Sequence, residues 1–329
     1  MPPHEIPLDR RLRLRDLKLL QEVVRLGSMA KAARELGITQ PAVSKALSDL
    51  ERLLDVRLLD RGAGGVVPTS YGDALLRHAN VMFDELRRVH LDLAHLADPS
   101  VGALRIACPE FVAAGILPVA LERFGKRFPR VVVDVVQAEN IAPEFRLLRE
   151  RQVDLMVGRV LPPQPAAQED VAIELLYGER LHVVAATRSP WAKKRKLSLA
   201  ELVDERWTLP PGDSVAGGLA AEAFAAENLP EPKATIISFS LHLRKAAAAS
   251  GEFLTVLHDS ILRLSRERSG LRILPVPLKI KAQPVAVITL KERTLLPAAR
   301  PFIDCLRDVA ASLKQNPRAQ GRGFVGESR

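Results

Sequence analysis

The sequence predicts an α/β protein that opens with an all-helical domain, and three observations carry that reading. Residues 12–69 hold short helical stretches separated by glycine. Residues 70–97 continue as one long helix with no proline and, after Gly72, no glycine. From about 103 to 313, short β-branched runs alternate with Ala/Leu-rich stretches of helical length, the pattern of βα units and a mainly parallel sheet. The last stretch, 314–329, is polar and aperiodic and is expected to be a disordered tail.

Composition narrows the class. The chain has 329 residues, 47% apolar and 26% charged, the balance of an ordinary soluble protein of two or three domains. No stretch reaches the ~18–20 uninterrupted apolar residues of a membrane span. Met1 to Lys18 is too polar for a signal peptide, and Cys108 and Cys305 are too few for a disulfide framework, so a cytoplasmic location is expected. The net charge is +9, yet residues 1–98 carry 15 Lys and Arg against 14 Asp and Glu. The excess therefore lies in the C-terminal half, and charge alone does not identify a nucleic-acid partner.

The N-terminal spacing is more specific. Leu14, Leu17, Leu20 and Val24 fall on one face of a first helix that stops near Gly27. Ser28 can cap a second helix packed through Ala32, Ala33 and Leu36, and Gly37 then turns the chain, with Ile38 filling the gap between helices. Thr39 is a good N-cap for a third helix, because Pro41 in its first turn has no N–H to leave unsatisfied. Val43, Leu47, Leu50 and Leu54 line its buried face, while Gln40, Ser44 and Lys45 project from the opposite side. An exposed, hydrogen-bonding helix start braced through a tight turn is a helix-turn-helix. On spacing alone, a small helical bundle with incidental polar residues remains the alternative.

The residues themselves go further. Asp16-Leu17, Gly27-Ser28, Ala32-Ala33, Thr39-Gln40-Pro41-Ala42-Val43-Ser44, Leu50-Glu51, Arg61, and Thr69 with Gly72 stand at fixed spacings over about sixty residues. In this, the run from Leu14 to Gly72 closely resembles the N-terminal domain of LysR-type transcriptional regulators. The resemblance implies a winged helix-turn-helix whose third helix enters the major groove of double-stranded DNA. Gln40 would pair with adenine, Lys45 would donate to guanine, and Pro41 with Ala42 would touch a thymine methyl. Ser28, Lys31, Thr39 and Ser44 suit phosphate contacts, and Arg61 in the wing would reach the backbone or minor groove. The chain departs from the usual pattern at Met29 and Leu59, where aromatics are common, and at Lys31 and Lys45, where arginine is frequent. Lysine lacks the planar fork of arginine, Gly64 replaces a common wing arginine, and Asp49 adds a negative charge to the reading helix.

In the long helix, Leu75, Ala79, Met82, Leu86, Val89, Leu93 and Leu96 are spaced by alternating steps of 4 and 3, a heptad seam, and Leu76 and Phe83 widen it. The alternative is a lone amphipathic helix packed on its own domain. A monomer exposing such a stripe would aggregate, and the seam is similar to the family's linker helix, which implies an antiparallel homodimer, a homotetramer built from two dimers, and a pseudo-palindromic promoter site.

Beyond it, strands are expected at 103–108, Val131–Val136, Val153–Val157, Leu181–Ala186, Ile236–Phe239, Phe253–Leu257 and Val285–Leu290. Helices are expected at 112–127, 141–151, 216–228, 241–250 and 297–313. The order of elements is similar to the family's two-lobed, periplasmic-binding-protein-like effector domain over 98–313. The first lobe would comprise about 103–160 and 280–313, the second about 161–279. Ligands of such sheets bind in the crevice at the carboxyl ends of strands. That rule selects Pro109, Glu110, Phe111, Arg159, Ser214 and Ser240 as candidates to hold a small-molecule effector, with Arg159 the natural partner of a carboxylate.

Enzymatic readings find little support. The chain has no Gly-x-Ser-x-Gly, no Walker loop and no Gly-x-Gly-x-x-Gly; Gly62-Ala63-Gly64-Gly65 falls in the expected wing. His90 and His95 are five apart and do not share a helix face, so neither a metal nor a cofactor is expected. Lys193 to Lys196 reads as a solvated loop. The expected function is a non-enzymatic, sequence-specific transcriptional regulator that responds to an effector and acts on RNA polymerase. The alternatives are a constitutive DNA-binding regulator with an unresponsive C-terminal domain, or an α/β solute-binding protein or enzyme.

Overall fold

The computed structural model describes residues 12–62, 65–98, 100–138, 145–160, 169–265 and 270–315. Gly64, most of the expected tail and the first part of the expected helix 141–151 lie outside them. The chain divides into two compact units, Met1–His90 and Leu91–Arg329, so the division falls within the long helix.

The first unit contains α1 (Leu14–Leu26), α2 (Met29–Glu35), α3 (Gln40–Leu54), β1 (Leu59–Gly62), β2 (Gly65–Pro68) and most of α4 (Ser70–Ala97). Its helix ends are set locally. Gly27 and Gly37 take φ of 62° and 65°, left-handed values open to glycine at no steric cost. The Ser28 and Thr39 hydroxyls accept the N–H groups of Lys31 and Ala42, each at 3.4 Å. The resulting helices bury Leu20, Val23, Ala32, Ala33, Val43, Leu47 and Leu50 in one core. β1 and β2 pair antiparallel from Leu59↔Pro68 to Gly62↔Gly65, which makes the wing. Val66 N–H donates to the Gly27 carbonyl at 3.0 Å and ties the wing to the first turn.

In the second unit, β3 (Val101–Cys108), β4 (Arg130–Gln137), β5 (Leu155–Arg159), β6 (Val171–Glu179) and β12 (Gln283–Leu290) form a five-stranded sheet in the order β4-β3-β5-β12-β6. β3 runs parallel to β4 and β5, whereas β12 runs antiparallel to β5 and β6. The helices α5 (Glu110–Ala114), α6 (Ile116–Arg127) and α11 (Ala299–Gln315) help to cover it, with Phe124 and Phe302 edge to face at 5.4 Å. A short helix, α7 (Arg146–Arg149), precedes β5.

The second lobe has β7 (Leu181–Ala186) between β10 (Thr255–His258) and β11 (Leu271–Ile273), all antiparallel. A parallel pair, β8 (Trp207–Leu209) and β9 (Ala234–Ile237), joins it through a bridge from Trp207 to Leu254. Trp207 is fully buried edge to face with Phe224 of α8 (Val215–Ala225), and its indole N–H donates to the Leu202 carbonyl at 2.9 Å. The helices α9 (Leu241–Ala249) and α10 (Asp259–Leu264) complete the set.

Five expectations need correction. The sheets are mixed, because β12 runs against the other four strands of its sheet and β7 runs against both of its neighbours. The first lobe extends to Glu179, since β6 is an edge strand of its sheet, and does not end near 160. The expected helix 112–127 is two helices broken at Gly115, where a Cβ would stand 2.6 Å from Ser260 Oγ. The strand expected from Val153 starts at Leu155, because Asp154 is drawn into a buried ion pair. Of the expected helix 141–151, only Arg146–Arg149 among the described residues is helical.

That ion pair closes the first lobe. Arg293 donates to Asp154 Oδ1 at 2.7 Å and to the Val153 carbonyl at 2.6 Å, while Asp154 Oδ2 accepts Arg105 N–H at 2.8 Å. Both side chains are buried. Arg293→Met leaves a buried carboxylate without its nearest cation, so urea unfolding of the full chain is expected to show a loss of about 3 kcal/mol in the α/β unit. A loss under about 0.5 kcal/mol, the range of an ordinary surface substitution, would contradict this.

Candidate nucleic-acid interface and interlobe cleft

The third helix separates two kinds of side chain. Val43, Leu47 and Leu50 are at most 2% exposed, whereas Gln40, Pro41, Ala42 and Lys45 are exposed and Ser44 is half-buried. Lys31, on the bracing helix, is exposed and Ser28 half-buried. Ser28 and Thr39 accept their cap bonds through lone pairs, which leaves each O–H proton able to donate to an anion. Asp49 forms an ion pair with Arg52 one turn on, which offsets its charge on this helix.

Glu51 is a structural residue that spacing alone did not assign. Its Oε1 accepts the N–H groups of Leu58 and Leu59 at 2.8 and 3.2 Å, and Oε2 lies 3.7 Å from Arg61. One carboxylate on the reading helix thus holds the start of the wing and orients Arg61, which stays exposed. Thr69 does the same for the next helix. Its hydroxyl donates to the Arg57 carbonyl at 2.6 Å and accepts Gly72 N–H at 3.1 Å.

The heptad seam divides in two. Leu75 and Leu76 pack against the helical core and Ala79 is buried, while Phe83 is half-buried, with Lys18 Nζ 5.9 Å from its ring centre. From Met82 onward, Met82, Leu86, Val89, Leu93 and Leu96 are exposed, Leu96 by 79%. The bare part of the seam is therefore this second stretch.

In the α/β unit, residues from the carboxyl ends of strands in both lobes meet. Phe111, just after β3, stacks on His258 at the end of β10, with ring centres 4.5 Å apart. Arg159, at the end of β5, lies with its guanidinium carbon 4.5 Å from the Phe111 ring centre and donates to His258 Nε2. Both Glu110 carboxylate oxygens stand 2.9 Å from Leu241 N, at the start of α9 in the second lobe. Pro109 begins the turn that carries Glu110 and Phe111, and Ser240 caps α9 by accepting Leu243 N–H at 3.2 Å. Ser214 stands apart in these contacts. Its hydroxyl donates to the Pro211 carbonyl at 2.6 Å and accepts Gly217 N–H at 3.1 Å, which caps α8.

Several polar residues here were absent from the expected set. Burial holds His258 well below the usual imidazole range, helped by the positive charges of Arg159 and Arg244. Its ring is therefore neutral and can accept from Arg159. Arg244 is buried and donates to the Val256 carbonyl at 3.2 Å. Burial raises the pKa of Glu179, at the crossing from β6 to β7, although its carboxylate accepts Ser260 N–H at 3.1 Å, Ser260 O–H at 2.5 Å and Tyr177 O–H at 3.1 Å. The signal available for His258 was its position at the end of a β-branched run, the same rule that selected Arg159. Cys108 and Cys305 are both buried thiols. Among the described residues, no helix is long and apolar enough to cross a membrane.

A winged helix-turn-helix followed by a two-lobed α/β domain defines a class of DNA-binding regulator, and comparison with known proteins makes the assignment specific. Residues 14–73 match the bacterial regulatory helix-turn-helix proteins of the lysR family, and residues 97–311 match the LysR substrate binding domain. The chain is 28% identical over 313 residues to the HTH-type transcriptional regulator GbpR of Azospirillum brasilense, covering 93% of this chain and 90% of that protein. It is also 28% identical over 280 residues to PcaQ of Agrobacterium fabrum, covering 85% and 89%. The fold is shared with full-length CbnR crystallised with its target DNA: TM-score 0.64 at 22% identity, over 91% of this chain and 100% of that one. The chain belongs to the LysR family of transcriptional regulators. It is a DNA-binding regulator of LysR type.

The neutral His258 has a measurable consequence. Its folded pKa is depressed, so below the ordinary value of 6.5 the unfolded chain takes up a proton that the folded chain refuses. Stability from this group is present above that pH and falls as pH drops through it. Between pH 7 and pH 5, wild type should lose about 1–2 kcal/mol more unfolding free energy than His258→Asn. Parallel losses in the two proteins would show a histidine that titrates normally.

Proposed function

We propose that this regulator reads a pseudo-palindromic promoter site through the exposed start of α3, as a homodimer or a tetramer of two dimers, and changes promoter output when a small molecule occupies the interlobe cleft. The observation that carries this reading is the division of α3, with its apolar face buried and Gln40, Pro41, Ala42 and Lys45 bare at its N-terminal end. Gln40 pairs with adenine and Lys45 with guanine, while Pro41 and Ala42 meet a thymine methyl. Ser28, Lys31, Thr39 and Ser44 contact phosphates, and Arg61 reaches the backbone from the wing. The bare apolar run Met82, Leu86, Val89, Leu93 and Leu96 pairs two copies, with Leu75 and Ala79 anchoring the helix to the reading head. The effector meets Pro109, Glu110, Phe111, Arg159 and Ser240, with Ser214 a further candidate from the start of α8. The role is regulatory rather than catalytic and cytoplasmic, with RNA polymerase as the target of the response.

Binding is tested on a site selected from random DNA. Gln40→Ala should weaken the selected site by about 1–3 kcal/mol and relax base choice, leaving random DNA unaffected. Equal losses on both would remove Gln40 from base reading. Leu86→Glu combined with Leu93→Glu places like charges along the bare seam, so sedimentation should show at least a tenfold weaker dimer. An unchanged association constant would put the interface elsewhere.

A further inference from the structure

Three contacts in the cleft join residues of one lobe to residues of the other, and they lie side by side. Glu110 of the first lobe reaches Leu241 of the second, 131 positions along the chain, with both carboxylate oxygens at 2.9 Å. Its neighbour Phe111 stacks on His258, and Arg159 donates to the same imidazole while covering Phe111. A carboxylate at a helix start is favoured by the unsatisfied N–H groups and by the helix dipole, and α9 is nine residues long. The cap of α9 does not need it, because Ser240 already accepts Leu243 N–H and its carbonyl accepts Arg244 N–H. Glu110 is thus an additional anion brought from the opposite lobe.

The geometry points to an interlobe latch: Glu110 on Leu241, reinforced by Phe111 and Arg159 on His258, holds the two lobes together, and the regulator's states differ in whether this latch is made. The proposal deepens the reading of the cleft as the effector site. Any ligand that enters between the lobes at these residues must take over their contacts or break them. The cost of release sets how strongly the ligand must prefer the open state, since a ligand shifts an equilibrium only by its differential affinity. Two features suit a latch better than a permanent weld. The bonds to Leu241 N come from a single side chain, and the His258 ring is neutral, so its bond to Arg159 lacks a full opposite charge.

Amide hydrogen exchange on the full chain, free of DNA, tests this without knowledge of the effector. In Glu110→Ala, exchange should rise at least tenfold at Leu241 and His258 in the second lobe and also across the cleft at Val112 and Ala113 in the first. Acetate at 50 mM, which restores a carboxylate, should reverse most of the rise, and neutral acetamide should not. Faster exchange confined to Leu241 would mean a local cap and would overturn the latch, as would no change at any of the four. If Glu110→Ala does not fold, Glu110→Gln keeps the shape without the charge and should show the same coupled pattern at smaller amplitude; a change at Leu241 alone would again overturn it. Because no DNA is present, failure here leaves the operator reading untouched, and failure of Gln40→Ala to discriminate sequences leaves the latch untouched.

Discussion

The burial of one side of α3 is the constraint on which the rest depends. Val43, Leu47 and Leu50 are consumed in the helical core, and only then are Gln40 and Lys45 held bare in a fixed orientation. Specific recognition of a base edge needs that rigidity, because a hydrogen-bonding pair discriminates only when its geometry is set in advance. Local chemistry makes the same demand. Two left-handed glycines and two hydroxyl caps fix where the bracing and reading helices begin and end, and Glu51 fixes the wing to the second of them. None of these contacts touches a base. Each decides where a group proposed to contact a base stands.

The α/β unit relies on carboxylates placed between elements far apart in sequence. Asp154 joins the entry of β5 to Arg293, Glu179 joins the β6–β7 crossing to Ser260, and Glu110 joins one lobe to the other. The first is deeply buried with a full countercharge and acts as a weld. The second gathers hydroxyl and amide donors where the chain passes between lobes. The third faces the crevice. This gradation from weld to latch follows the surroundings of each carboxylate, and it separates the rigid frame of each lobe from the part between them that can change.

How much of this was legible in the sequence depends on how local the deciding contact is. Gly27, Ser28, Gly37 and Thr39 were readable because a helix end is decided within three or four residues. The seam from Leu75 to Leu96 was readable because periodicity is also local, although where it ceases to pack on its own domain was not. β6 was missed because an edge strand with Glu174 and Glu179 among its apolar residues has no clear alternation. β8 and β11 were missed because each is only three residues long. The break at Gly115 is decided by Ser260, which approaches from far along the chain. His258 and Glu179 escaped for the same reason: their partners lie 99 and 81 positions away. Strand-end position nevertheless selected Arg159, Glu110 and Phe111, because the carboxyl edge of a sheet is a topological place that an alternating pattern reveals.

In the proposed function, two copies of the α3 face read one two-fold site. Nuclease footprinting of the purified full chain on the promoter region beside its own gene, with and without metabolites of neighbouring pathways, tests it most directly. A protected region of two related half-sites is expected at modest salt, shortened or shifted by one metabolite. Protection of a single undivided site, or none at all, would contradict it.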